Sequence, residues 1–320
     1  MSVQEHVVAS DEEGSTLAAI VRAMSPGLSW NKARELCTTG RVRVDGEVET
    51  DDARRLRAKA QVQVDAEGRR LRRGVLAPDA IVFVDRDVVI VRKPPGMLTV
   101  PYEEGDRDTL VDVTRAALRK RDRGDHHYDP MLGVVQRLDK DTTGLLVMAR
   151  TLGAKRHLSQ QLRVHSVERR YQAIVLGEAR EATYETTFVA NRGDGLRGSW
   201  GVWRPARGSP PGDAQRALTH VRVLERLRGA TLVECQLETG RQHQIRIHLS
   251  EAGTPLVGEQ VYIRDYDGER IEAPRPMLHA WVLGFEHPRT GETMRFEDPP
   301  PRDFEEVAAR LRTARSSPRP

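Results

Sequence analysis

The succession of apolar and polar positions divides the chain into a short helical part and a long strand-rich part. Helical spacing of apolar residues predicts a helix over 16–24. After a break at Ser25-Pro26-Gly27, a second helix is expected over 29–38, with Ser29 as its N-cap and Gly40 as its stop. Val42 and Val44 then alternate with Arg41 and Arg43, Asp45-Gly46 signals a hairpin, and Val62 and Val64 mark a further short strand. The apolar runs 81–84 and 88–91 flank a polar turn at Asp85-Arg86-Asp87, the form of a strand pair. Two more apolar runs, one ending at Val134-Val135 and one opening at Gly144, enclose a polar loop. A helix is expected over 152–163, with Tyr171 in the strand after it. Thr239 and Gln242 have capping-box spacing, which predicts a helix from there to Gly253. A last helix is expected over 303–311.

These elements imply five segments: a loose arm (1–10), a small unit (11–66), an exposed linker rich in Arg and Gly (67–78), a large domain (79–300) and a tail (301–320). The last stretch, 312–320, is basic and Pro/Ser-rich, a composition that predicts disorder. No internal repeat is present.

A chain of 320 residues carries a prior of about two domains. Charged residues reach 31% and the formal balance is +4, which permits a nucleic-acid partner without requiring one. The two cysteines, Cys37 and Cys235, argue for a reducing compartment and against a disulfide framework. The first 15 residues are acidic and lack the apolar segment of a secretory signal, and no run approaches the roughly 18 apolar residues of a bilayer span. A cytoplasmic protein, monomeric by default, is the expectation. His243 and His248, five apart on a helix, diverge by about 140°, and no cysteine or carboxylate completes a set, so no metal is expected.

Lys32 and Arg34 on the second helix, with Arg41 and Arg43 after it, put cations at one end of the small unit, where they could neutralise phosphates; a solvated basic face reads as well. The string "SWNKARELCTTGRVRVDGEV" resembles the S-four-type (alpha-L) RNA-binding domain over residues 11–66. That resemblance implies an RNA-docking module without chemistry of its own.

The polar loop lies in "GVVQRLDKDTTGLLVMAR", residues 133–150. A loop between two buried strands is a rigid mount for a reactive side chain, although an Asp there can equally cap its own turn. "RLDKDTTGLL" is similar to the catalytic loop of the RluA/RluD-type pseudouridine synthases. The resemblance implies that Asp139 is the essential carboxylate and that Arg137 helps to hold distorted RNA. Gln136 stands where that family has His, a difference expected to bear on substrate preference. "VRKPPGMLTVP" (91–101), "VERRYQAIVLGE" (167–178), "LETGRQHQIRIHL" (237–249) and "MLHAWVLGFEHPRTGE" (277–292) resemble the same family in the same order. Through them Tyr171 matches its active-site tyrosine, which stacks on the target base, and Arg246 matches the arginine that pairs with the carboxylate.

The implied fold is α+β: a mixed, mainly antiparallel sheet flanked by helices, beside the small N-terminal domain. The implied reaction breaks the bond between base nitrogen and sugar, turns the base and rejoins it through carbon. It demands no cofactor. The carboxylate either attacks the anomeric carbon or removes a neighbouring sugar proton, and both routes stay open. A stacked base must first be flipped out, at about a few kcal/mol. Large-subunit ribosomal RNA is the favoured substrate by resemblance, with tRNA as the alternative. The rivals are a noncatalytic RNA-binding or ribosome-assembly factor, against which the intact Asp139, Tyr171 and Arg246 argue, and a glycosidase, for which no motif marks a second acid.

Overall fold

The computed structural model describes residues 3–25, 27–49, 51–66, 76–77, 79–102, 106, 108–122, 130–203 and 208–313. The chain folds as two compact units, Met1–Val75 and Leu76–Pro320.

The first unit runs β1 (Gln4–Val7), α1 (Leu17–Met24), α2 (Trp30–Thr38), β2 (Val42–Val44), β3 (Glu47–Val48) and β4 (Gln61–Val64). Each helix starts where a hydroxyl can accept an otherwise unpaired N–H: Thr16 from Ala19 and Ser29 from Lys32. Leu17, Ile20 and Val21 of α1 and Ala33, Leu36 and Cys37 of α2 pack on Val42, Val44, Val62 and Val64. Among the described residues the strands form an antiparallel sheet in the order β1-β4-β2-β3.

One expectation needs correction here. The expected loose arm, residues 1–10, is ordered over its described part, because Gln4–Val7 is a strand in register with β4, Gln4 opposite Val64 and Val7 opposite Gln61. It is an edge strand with an exposed, mostly polar sequence, held by backbone hydrogen bonds, and so it carries no apolar signature. The arginine-rich linker, residues 67–75 and 78, lies outside the described residues.

The second unit runs β5 (Ile81–Val84), β6 (Val88–Lys93), α3 (Leu110–Arg121), β7 (Gly133–Val134), β8 (Thr143–Ala149), α4 (Leu152–Arg163), β9 (Glu168–Leu176), β10 (Ala182–Val189), β11 (Gly198–Ser199), β12 (Gln215–Leu227), β13 (Ala230–Leu237), α5 (Gln244–Glu251), β14 (Leu278–Glu286), β15 (Thr293–Glu297) and α6 (Arg302–Thr313). These strands make one mixed sheet in the order β11-β10-β12-β13-β9-β14-β8-β6-β5, with β15 on β14 and β7 on β8. Every pairing is antiparallel except β8 with β14. The fold is thus the expected α+β arrangement, a mainly antiparallel sheet with flanking helices.

β6 and β8 carry near-continuous apolar runs because both their faces are covered. Val89, Val91, Leu146 and Met148 face a core shared with Leu110, Val113 and Leu118 of α3. Val88, Ile90, Leu145 and Val147 face the opposite core with Ala154 and Leu158 of α4.

The last helix, expected over 303–311, is present and extends a residue or two beyond those bounds at each end. Arg302–Thr313 is helix, with Phe304, Val307, Ala308 and Leu311 buried against Ile174, Leu176 and Leu232. Arg312, expected in a disordered end, belongs to that helix and pairs with Glu225 at 2.8 Å. Residues 314–320 lie outside the described residues. Cys37 and Cys235, one in each unit, are free and buried. Burial pushes the Cys37 thiol up to about 12 and raises that of Cys235 as well.

Candidate active site

The loop between β7 and β8 carries Arg137, Leu138, Asp139, Lys140 and Asp141, and the chain fastens its backbone from several sides. Leu138 is held twice by Thr99: its N–H donates to Thr99 Oγ1 at 3.2 Å and its carbonyl accepts from the same hydroxyl at 2.9 Å. Lys93 Nζ, at the end of β6, donates to the carbonyls of Lys140 at 2.6 Å and Pro94 at 3.0 Å. Arg275 Nη1 donates to the carbonyls of Asp141 and Leu278, both at 3.1 Å, while its other nitrogens pair with Asp303 of α6. Gly144 closes the loop. Its φ is +113°, and a Cβ there would lie 2.1 Å from the carbonyl oxygen of Ala280, so only glycine lets β8 run beside β14.

Asp139 faces a cleft of about 410 Å³ that Arg137, Arg169, Tyr171, His243 and Arg246 also line. About a quarter of its side chain (26%) is exposed. Arg246 Nη1 stands 3.6 Å from Asp139 Oδ2, and His243 Nε2 stands 4.0 Å from Oδ1. Tyr171, on β9, is buried in the same cleft, and burial raises its phenol above the ordinary range. Arg137 is exposed at the rim.

Arg246 has a closer partner than Asp139. Its Nε and Nη2 donate to the two oxygens of Glu259 at 2.8 and 2.6 Å, a bidentate pair. Burial alone would lower the guanidinium's pKa, but Glu259 and then Asp139 reverse this and hold it above its ordinary value. Glu259 Oε1 also accepts from the N–H groups of Gln260, Val261 and Tyr262. Despite burial its pKa is lowered by Arg246. Tyr262 shares a 2.8 Å hydrogen bond with His243 Nδ1, and the Arg246 guanidinium lies 5.4 Å from its ring centre. Burial lowers His243, which favours the neutral imidazole.

The helix bearing Arg246 starts later than expected. The capping box of Thr239 and Gln242 is not formed: α5 begins at Gln244, after His243 in a left-handed conformation (φ +59°). The amide of Gln244 replaces the cap, its Oε1 accepting from Thr239 Oγ1 and from the N–H of Arg241. His248 is a core residue, bonded to Thr186 and Thr219, and burial drops it to about 4.

The sequence reading missed Glu259 and Tyr262, which lie in a stretch with no motif, and it weighed His243 only as a metal ligand. Lys93 sat inside a recognised string without a role. At the small unit, Lys32, Arg34 and Arg43 are exposed. Lys32 pairs with Glu35 at 2.9 Å and Arg34 with Asp52 at 3.6 Å, so these two already have carboxylate partners. Arg43 donates to the carbonyl of Gly46, and Arg41 is partly buried.

Away from the cleft, Asp85, Asp87 and His287 cluster closely enough for a metal. Their atoms are occupied by the chain. Asp85 accepts the N–H groups of Asp87 and Val88 and bonds to His287 at 2.9 Å, and Arg289 pairs with Asp87 at 2.7 Å. The cluster staples the β5–β6 turn. Among the described residues no helix is long and apolar enough to cross a membrane.

Residues 87–251 match the family described as RNA pseudouridylate synthase. An uncharacterised RNA pseudouridine synthase of Bacillus subtilis, YlyB, is 40% identical over 238 residues, 72% of each chain. Ribosomal large subunit pseudouridine synthase D of Pseudomonas aeruginosa is 35% identical over 321 residues, 95% of this chain and 94% of that one. In fold, the chain is similar to human RNA pseudouridylate synthase domain containing 4, with a TM-score of 0.57 and 23% identity over 72% of this chain and 92% of that one.

Proposed function

The chain belongs to the RNA pseudouridylate synthase family, and from that membership we propose how its residues turn uridine in RNA into pseudouridine. The enzyme is an isomerase. The observation that carries the residue roles is the partly exposed Asp139 carboxylate in a cleft with Tyr171 and with Arg246, itself fixed by Glu259.

Asp139 acts on the ribose of the flipped nucleotide, at the anomeric carbon or at the neighbouring C–H. It must stay ionised in a partly dry site, and the Arg246 charge at 3.6 Å opposes the cost of that burial. Because Glu259 neutralises Arg246 through the shorter contacts, Asp139 is oriented without being locked into a tight ion pair, and its oxygens stay free to reach substrate. Tyr171 offers its ring to the extruded base. Arg137, at the rim, contacts the distorted RNA and fills the space the base leaves.

Large-subunit ribosomal RNA is the proposed substrate, since relatives that span nearly this whole chain are named for it. The first unit is proposed as an S-four-type docking module that contacts phosphates through Lys32, Arg34, Arg41 and Arg43. Lys32 and Arg34 must then exchange their carboxylate partners for phosphate, whereas Arg43 holds a backbone carbonyl, which makes it a stronger candidate than those two.

The test is to treat ribosomal RNA and tRNA from cells lacking this protein with the purified enzyme and to map pseudouridine. New sites are expected in the large-subunit RNA, and Asp139→Asn should create none. Sites confined to tRNA would overturn the substrate, and an active Asn variant would overturn the carboxylate's role.

A further inference from the structure

Arg169 has no part in that division of labour, yet it borders the same cleft. It lies two residues before Tyr171 on β9, so both side chains leave the strand on one face. Both are buried, Arg169 at 7% and Tyr171 at 8% exposure. A guanidinium taken out of water normally sits against a carboxylate, because an uncompensated charge there costs several kcal/mol. Arg169 has none among the described residues. Among those residues its one side-chain hydrogen bond runs from Nη2 to the carbonyl of Glu238 at 2.7 Å, and its enclosed Nε has no partner. Arg246, on the facing wall, shows the contrast, with a bidentate carboxylate of its own.

Gly240 keeps this guanidinium open to the cleft. It also lines the cavity, and a Cβ there would lie 2.6 Å from Arg169 Nη1. The glycine of the Thr239-Gly240-Arg241 string therefore leaves unfilled the space beside a buried positive charge.

The reaction produces a species that needs such a charge. When the bond from C1′ to N1 breaks, its electron pair stays with the base, and the detached uracil carries negative charge on N1, O2 and O4. The ring must then turn and form the new bond from C5. C5 finally gives up its proton and N1 gains one, so the sequence needs no oxidant or reductant. We propose that Arg169 is a catalytic residue that stabilises the detached uracil anion, as a fixed donor placed where charge develops. This rests on the roles proposed above for Asp139 and Tyr171. Arg169 moves no proton. Its depth beside Tyr171 suits a base; the exposed cations at the rim, Arg137 and Arg163, suit the RNA around the extruded nucleotide.

The test compares single-turnover rates of C1′–N1 bond loss on two transcripts of the mapped RNA segment, one with uridine and one with 5-fluorouridine at the target, where fluorine replaces the C5 proton and stops the reaction after the base has turned and rejoined. Fluorine makes the base a better leaving anion, so less stabilisation is needed. Arg169→Met should slow the uridine transcript by about 100-fold and the fluorinated one by about tenfold or less, with RNA affinity unchanged. Arg169→Lys should fall between. Gly240→Ala, which keeps Arg169 but displaces it, should show the same selectivity and maintains the test if the Met variant does not fold. Equal slowing on both transcripts, with weakened RNA binding, would overturn the proposal in favour of a phosphate contact, and unchanged rates would reduce Arg169 to a structural residue. Asp139→Asn is read alongside: a variant that keeps its rate refutes the carboxylate assignment, whereas uniform losses at Arg169 refute only this one.

Discussion

Lys93 is almost wholly enclosed, at 1% exposure, with its ammonium between the carbonyls of Pro94 and Lys140. Burial brings it down to about 7, against the pull of Asp141 and Asp139. Between that value and the unfolded 10.5 the unfolded chain binds more protons, so this site makes stability rise with pH through that window. Below it the full penalty applies, and above it none. Lys93→Met removes the titration and leaves two carbonyls without a donor, a loss of about 2 kcal/mol or more. Urea unfolding of both proteins at pH 7, 8 and 9 checks this. The wild type should gain relative to the variant at each step, by at most about 1.4 kcal/mol per pH unit. A constant difference would mean that Lys93 does not titrate there. The same side chain holds the carbonyl next to Asp139, so a residue that carries no chemistry still sets where the carboxylate points.

At the scale of elements, α5 shows how a helix register can escape a pattern. Thr239 and Gln242 have the spacing of a reciprocal cap, but Gln244 satisfies four groups at once: Thr239 Oγ1, the Arg241 N–H, the Leu218 carbonyl and Thr219 Oγ1. Two of these groups lie on β12, far away in sequence, so no local rule could have found them. Gln244→Leu keeps the bulk and removes every one of these bonds. It should cost at least about 2 kcal/mol and, by freeing the start of the helix that bears Arg246, should lower turnover on RNA more than affinity for it. Urea melts and single-turnover kinetics read the two effects separately. An unaltered melt would show that the amide does not set the helix start. The strands that sequence revealed most clearly, β6 and β8, are those covered on both faces. By contrast β10, β12 and β13 drew no prediction of their own. Polar side chains interrupt their sequences, among them Glu185, Arg222 and Glu234, the last closing on Arg222 and on Arg170 of β9, and this breaks up the apolar run. Asp139, Tyr171 and Arg246 were legible because each sits in a string that the family resemblance picks out. Glu259 was not: its partner is thirteen residues away, and only the turn between them brings the two together.

For the whole molecule, the cleft that holds Asp139 is lined by residues of the second unit, Leu76–Pro320. If the first unit docks on phosphates, Arg43→Ala should reduce the slope of log affinity against log salt by about one and leave the single-turnover rate at saturating enzyme unchanged. Binding titrations between about 50 and 200 mM salt test it. An unchanged slope would remove Arg43 from the RNA-facing surface.

Each unit conceals a single sulfhydryl, Cys37 in one and Cys235 in the other, and neither is ionised or accessible while its surroundings stay folded. The chain thereby carries two internal clocks. Pulse alkylation along a denaturant gradient, read peptide by peptide, will time the opening of one half independently of the other. The coincidence or separation of the two curves will tell whether the two units share one cooperative transition.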